Sequence, residues 1–102
     1  MYGSMNRTAE EEGMGRVKLF WKAECPRCGS AKIIGSQLKE QGLTVYDYNL
    51  DTPDGLAEAS YYSIMSTPTI IVEDEEENTI ASFSGNVPTP GEVRRAITKY
   101  YQ

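Results

Sequence analysis

The residues best suited to chemistry in this chain of 102 are its two cysteines, which stand in Cys25-Pro26-Arg27-Cys28. A disulfide between them closes so short a loop that it adds little stability by chain entropy, so their value lies in reactivity. The spacing suits thiol–disulfide exchange. A thiolate attacks a disulfide sulfur, and a second thiol within reach releases the mixed disulfide. Cys25 is the expected attacker and Cys28 the resolver. Pro26 suits the first turn of a helix, which places Cys25 at a helix N-terminus, where unpaired N–H groups and the helix dipole stabilise negative charge. Arg27 and Lys22 add cations nearby, so the Cys25 thiol is expected to ionise below the free-cysteine range.

A lone Cys-x-x-Cys has rival readings. Structural zinc needs four ligands, and the chain has no His and no further Cys, so it cannot complete a site by itself. Zinc shared across a dimer, or an inert packed pair, are the alternatives that survive that count.

Positioning the cysteines requires a strand before them and a helix after them. In Arg16-Val17-Lys18-Leu19-Phe20-Trp21, Val17, Leu19 and Trp21 alternate with Lys18 and Phe20, the pattern of a largely buried strand. Ala31, Ile34, Gly35 and Leu38 recur at helical spacing until Gly42, a C-terminal stop. A second strand runs from Thr44 to Leu50 with Tyr46, Tyr48 and Leu50 on one face. Thr52-Pro53 caps a second helix whose apolar stripe reads Leu56, Ala57, Ser60, Tyr61 and Ile64. Thr69-Ile70-Ile71-Val72 and Thr79 to Phe83 form a hairpin around an acidic turn, Glu73 to Asn78. Thr89-Pro90-Gly91-Glu92 opens a last helix with Val93, Ala96, Ile97 and Tyr100 on one face. The order is β-α-β-α-β-β-α, with the first two strands parallel by the right-handed crossover rule and the hairpin antiparallel in the same sheet.

Residues 16–102 are therefore expected to form one domain, and residues 1–15, polar, acidic and without periodicity, a leader outside it. Fifteen acidic against ten basic residues, a net charge of −5, argue against a nucleic-acid partner. With 39% hydrophobic residues and no apolar run of membrane-spanning length, a soluble, cytoplasmic monomer is the expectation.

Val17 to Trp21, Cys25-Pro26-Arg27-Cys28, Tyr62 to Thr69 with its Ser66-Thr67-Pro68, and Phe83-Ser84-Gly85 together resemble the thioredoxin/glutaredoxin superfamily across roughly 16–102. The resemblance implies an α/β fold of βαβαββα order, a four-stranded mixed sheet in the order 2-1-3-4 with helices on both faces, and a cis Pro68 beside Cys25. It implies a dithiol oxidoreductase acting on disulfide-containing proteins, with electrons replaced by an external reductase or small thiol and no tightly bound cofactor. Thr67, Pro68, Lys22 and Arg27 become the substrate-binding candidates.

The details are mixed. Ile64 to Pro68 and Phe83-Ser84-Gly85 look thioredoxin-like, whereas Cys-Pro-x-Cys and Lys22 look glutaredoxin-like. Glu24 and Leu19 stand where thioredoxins usually carry Trp and a buried Asp, so the Cys28 proton must go to Glu24, Lys22 or water. Gly85-Asn86-Val87-Pro88 replaces the Gly-Gly-acidic segment with which glutaredoxins hold glutathione, leaving glutathione as a candidate small thiol only.

Each remaining candidate also has a plainer role. Lys22 could be a solvated strand-end lysine, Pro68 a strand start, and the carboxylates Glu73 to Glu77 a solvated turn. Phe20, Trp21 and Tyr61 read as core, Tyr62 as core or groove, and Arg94, Arg95 and Lys99 as a polar helix face. A rival from another class is a thioredoxin-fold binding module that pairs an extended segment near Thr67 and Pro68 without turnover.

Overall fold

A computed structural model describes residues 15–102. The expectation that residues 1–15 form a leader lies outside those residues except at Gly15, which is buried; a Cβ there would meet Ile97 at 3.2 Å. Strand β1 (Arg16–Trp21) leads through a turn to helix α1 (Cys28–Glu40), then β2 (Thr44–Asn49), α2 (Pro53–Tyr61), β3 (Thr69–Glu73), β4 (Thr79–Ser84) and α3 (Pro90–Tyr100). The sheet order is β2-β1-β3-β4, the order that the resemblance implies, with β1 parallel to β2, as the crossover rule predicts, and antiparallel to β3.

The alternation of β1 sorts the interior into two cores. Val17 and Leu19 join Ile70 and Val72 of β3 under Ala31 and Leu38 of α1 and Val93 and Ile97 of α3. On the opposite face Phe20 and Ile71 pack with Ala59 of α2. Helices therefore cover both faces.

Caps and turns fall where their residue types dictate. Thr52 accepts from the Gly55 amide, and Thr89 and Glu92 form a reciprocal capping box with Pro90 in the first turn. Gly42, past the end of α1, has φ 97°, a conformation that favours glycine.

Four expectations need correction. First, α1 begins at Cys28, not at Cys25. Pro26 and Arg27 form a turn before it, closed by the Cys28 amide on the Cys25 carbonyl at 3.2 Å. Second, most of the stripe assigned to α2 faces outward: Tyr61 is 72% and Leu56 55% exposed, while Gly55 and Ala59 are buried, and only Ile64 of that stripe, past the helix end, packs against the core. A Cβ at Gly55 would collide with the Asn49 backbone, so close approach of the helix start to β2 selects the face with the small residues. Third, Tyr46 and Tyr100 are also exposed, at 43% and 48%. Fourth, the acidic run is not all solvated, since Glu73 belongs to β3 and, like Asp74, is buried.

Candidate active site

The C-terminal end of β1 delivers the chain into the Cys25–Cys28 turn, and the two cysteines are joined as a disulfide with Cα atoms 5.3 Å apart. Cys25 is half-buried and Cys28 only 2% exposed, so Cys25 is the more accessible of the two sulfur positions. Arg27 is the N-cap of α1 but places no side-chain oxygen or nitrogen on the helix, so the first-turn N–H groups are left without a side-chain cap. Cys25 lies one turn ahead of them, toward the positive end of the helix dipole.

Arg27 has another partner. Its Nη1 donates to the Gly85 carbonyl at 3.0 Å, and the Gly85 amide donates to the Pro68 carbonyl at 2.8 Å. This relay joins three segments distant in sequence: the cysteine turn, the loop after β4, and the Thr67-Pro68 loop. Gly85 has φ 77°, which only glycine adopts without strain, so its presence after Ser84 is what permits the bridge. The Thr67–Pro68 bond is cis, as the resemblance implies. Pro68 is buried and Thr67 half-buried, Thr69 Oγ1 braces the loop by donating to the Ser66 carbonyl at 2.7 Å, and Met65 beside it is 92% exposed.

Lys22 is placed differently. It lines a recess of about 360 Å³ with Ala23, Glu24 and Asp51, and Asp51 Oδ2 there accepts from the Ala23 amide at 3.0 Å. Two carboxylates thus share the space around Lys22, while Arg27 is the cation tied to the cysteine turn. Trp21 is half-buried, with Lys32 Nζ 3.8 Å from its ring centre. The place of the usual buried Asp is filled by Leu19 under α1, where a Cβ at Gly35 would lie 3.3 Å from its Cδ2. Among the described residues no group of three or more His, Cys, Asp or Glu side chains could hold a metal.

Sequence reasoning missed the polar cluster on the other face of β1. Lys18 is buried and donates to Tyr62 at 2.7 Å and Glu58 at 2.9 Å; Tyr62 donates to Glu73 Oε2 at 2.6 Å, and Glu73 Oε1 lies 3.4 Å from Lys18. Burial works against the Lys18 charge, but the Tyr62 and Glu58 bonds and the Glu73 carboxylate outweigh it and hold its pKa above the lysine range. Burial, and then the bond to Glu73, push the Tyr62 hydroxyl up to about 12. Tyr62 belongs to this cluster and ends α2 just before the Thr67-Pro68 loop, which resolves its undecided role. The only signal in the sequence was a lysine inside an otherwise apolar strand.

Over 87 residues the chain is 31% identical to a probable thioredoxin of Archaeoglobus fulgidus, covering 84% of this chain and 89% of that protein. The chain belongs to the thioredoxin-like superfamily. Solved thioredoxins share the fold. Thioredoxin 1 of Thermosipho africanus matches with a TM-score of 0.68 at 18% identity, over 84% of this chain and 93% of that one. A mutant thioredoxin of Halobacterium salinarum matches at 0.73 and 19%, over 90% and 79%. Thioredoxin-2 of a malaria parasite matches at 0.71 and 20%, over 84% and 82%. No family model matches the chain. Membership of this superfamily, with the bonded Cys25–Cys28 pair, supports thiol–disulfide oxidoreduction as the class of activity.

Proposed function

We propose that this thioredoxin-like protein reduces or exchanges disulfides in protein partners, and the observation that carries the reading is the half-exposed Cys25 bonded to the buried Cys28. In the reduced protein the Cys25 thiolate attacks one sulfur of a substrate disulfide. A Cys25–substrate disulfide forms and the other substrate sulfur leaves as a thiolate, taking up a proton. Cys28, as a thiolate, then attacks Cys25 Sγ. The Cys25–Cys28 disulfide forms and the second substrate sulfur departs, so two electrons pass from protein to substrate.

Leu19 offers no base under α1, so the Cys28 proton passes to water or Glu24. Thr67, Pro68 and Arg27, whose loops are joined to the cysteine turn through Gly85, are the proposed substrate contacts, and Lys22 is proposed to serve a more distant part of the same partner through its recess. An external reductase, or a small thiol such as glutathione, returns the electrons without any cofactor held by this chain. The proposed setting is the cytoplasm and the proposed working form a monomer. Among the described residues no helix is long and apolar enough to cross a membrane.

The test is to equilibrate the protein in glutathione redox buffers of graded poise, count thiols by alkylation and mass, and follow reduction of insulin. A reversible two-electron transition between about −120 and −300 mV is expected, lost with Cys25→Ser or Cys28→Ser. Cys28→Ser should also accumulate the mixed disulfide with substrate, whereas Cys25→Ser should not. Unchanged partner binding by both variants, with no transition in the parent protein, would favour the binding module instead.

A further inference from the structure

Far from the disulfide chemistry in its demands, the β4 edge carries a second surface. Among the described residues β4 pairs only with β3, which leaves its outer edge open to them. The Gly85 amide bonds the Pro68 carbonyl, and the antiparallel alternation then turns the backbone groups of Phe83 and Ala81 toward β3 and those of Ser82 and Ser84 outward. Beside this edge lies a groove of about 600 Å³, floored by Phe83 and Ala96 and flanked by Arg95, Lys99 and Gln102. It continues past Ile80 and Tyr100 as a smaller recess of about 280 Å³. Residues 92, 95, 96 and 99 follow one stripe of α3, with Gln102 just past its end, so the helix presents a single continuous wall to the strand edge.

The charge of that wall selects the occupant. Arg95 and Lys99 are exposed and, among the described residues, neither has an ion-pair partner. The one carboxylate in the groove, Glu92, is turned back onto the Thr89 amide at 2.8 Å. Cations beside a strand edge can also serve to block unwanted pairing, but such guards sit on the strand itself. Here Ala81 to Ser84 carries no charge and no proline, and the cations stand across the groove on α3. The opposite edge, β2, does carry a guard, Asp47, paired with Lys39 at 3.1 Å.

We propose that the β4 edge and α3 together bind an extended segment of a partner protein whose every second residue, the set that faces α3, is in turn apolar and acidic. The segment adds a strand to β4 through the Ser82 and Ser84 backbone. Successive side chains of the added strand point to opposite faces, so its α3-facing positions supply both the apolar side chains that lie over Phe83 and Ala96 and the carboxylates that meet Arg95 and Lys99. This surface is independent of the reading given for the cysteines, and it would recruit a partner without occupying the Thr67-Pro68 loop.

The experiment titrates the isotope-labelled chain with a capped peptide of repeating Val-Ser-Glu-Ser, which puts Val and Glu on one face of a strand, and in parallel with one of repeating Val-Ser-Lys-Ser, while recording amide spectra and exchange. The Glu peptide is expected to shift the Ser82 and Ser84 amides and slow their exchange, with binding that weakens as salt rises. Arg95→Glu with Lys99→Glu should weaken it at least tenfold, and Ser82→Pro, which removes an edge N–H, should do the same. Insulin reduction should be unchanged in the charge-reversed variant. Equal binding of the Lys peptide, no shift at millimolar Glu peptide, or indifference to the charge reversal would overturn the proposal. So would concentration-dependent self-association through the same amides, which would assign the edge to a second copy of the chain.

Discussion

Arg27 carries a charge into the cysteine turn and spends one of its donors on the Gly85 carbonyl, so its effect on reactivity and its effect on loop position are coupled. Arg27→Met removes both. A charge near a thiolate in a mostly aqueous setting contributes about 1 kcal/mol or less, which corresponds to a rise of roughly half a unit in the Cys25 pKa. Arg27→Lys should keep most of the charge effect but not the planar reach to Gly85, so thiolate absorbance against pH should separate the two roles. An unchanged Cys25 titration in Arg27→Met would show that the helix dipole alone sets its ionisation. The cysteines were legible because their meaning lies in local spacing, and Pro68 through the family resemblance of the segments around it. The Arg27–Gly85 bond was not, because it joins residues 58 positions apart and needs the folded sheet to bring them together.

Lys18, Glu58, Tyr62 and Glu73 bind β1, α2 and β3 to one another within a core that is otherwise apolar. Removing one member of a buried ion pair leaves the other charge without compensation. Lys18→Met is therefore expected to cost ~3 kcal/mol, the lower end of the range, because Arg16 Nε still lies 3.5 Å from Glu73. Adding Glu73→Gln removes the stranded charge while keeping an acceptor for Tyr62, and should recover at least half of the loss by urea denaturation. A double variant no more stable than Lys18→Met would show that packing of the lysine stem, not charge pairing, is what matters. At this scale the elements themselves were readable, from caps at Thr52 and Thr89 and from the alternation of β1. The outward face of α2 was misread because Leu56 and Tyr61 satisfy a helical stripe as well as Gly55 and Ala59 do. Only the close approach at Asn49, a tertiary constraint, decides between them.

The molecule has two poles, set by the direction of β1. Its C-terminal end leads to the cysteines, with Pro68 and Gly85 entering from the adjacent ends of β3 and β4; its N-terminal end meets the turn after β3. That division could be anticipated from the element order and the crossover rule. What the composition hid is that the acidic turn at the far pole is an organised structure. Asp74 accepts from the amides of Glu76 and Asn78, from the Asn78 side chain and, at 2.8 Å, from Tyr100 of α3, while Tyr101 donates to Glu75. Burial favours the protonated acid, but these donors prevail and draw the Asp74 pKa down to about 2. A folded-state pKa below the ordinary value near 4 means the contribution to stability is fully present above about pH 4 and is lost as pH falls through about 2. Asp74→Asn should therefore melt below the parent protein at pH 7, and the gap should close between about pH 5 and about pH 2, where the parent carboxyl takes up its proton. The redox transition of the cysteines, at the opposite pole, should not move with this substitution. A melting gap that stayed constant down to pH 2 would assign the stabilisation to the shape of the turn, not to the ionised carboxylate.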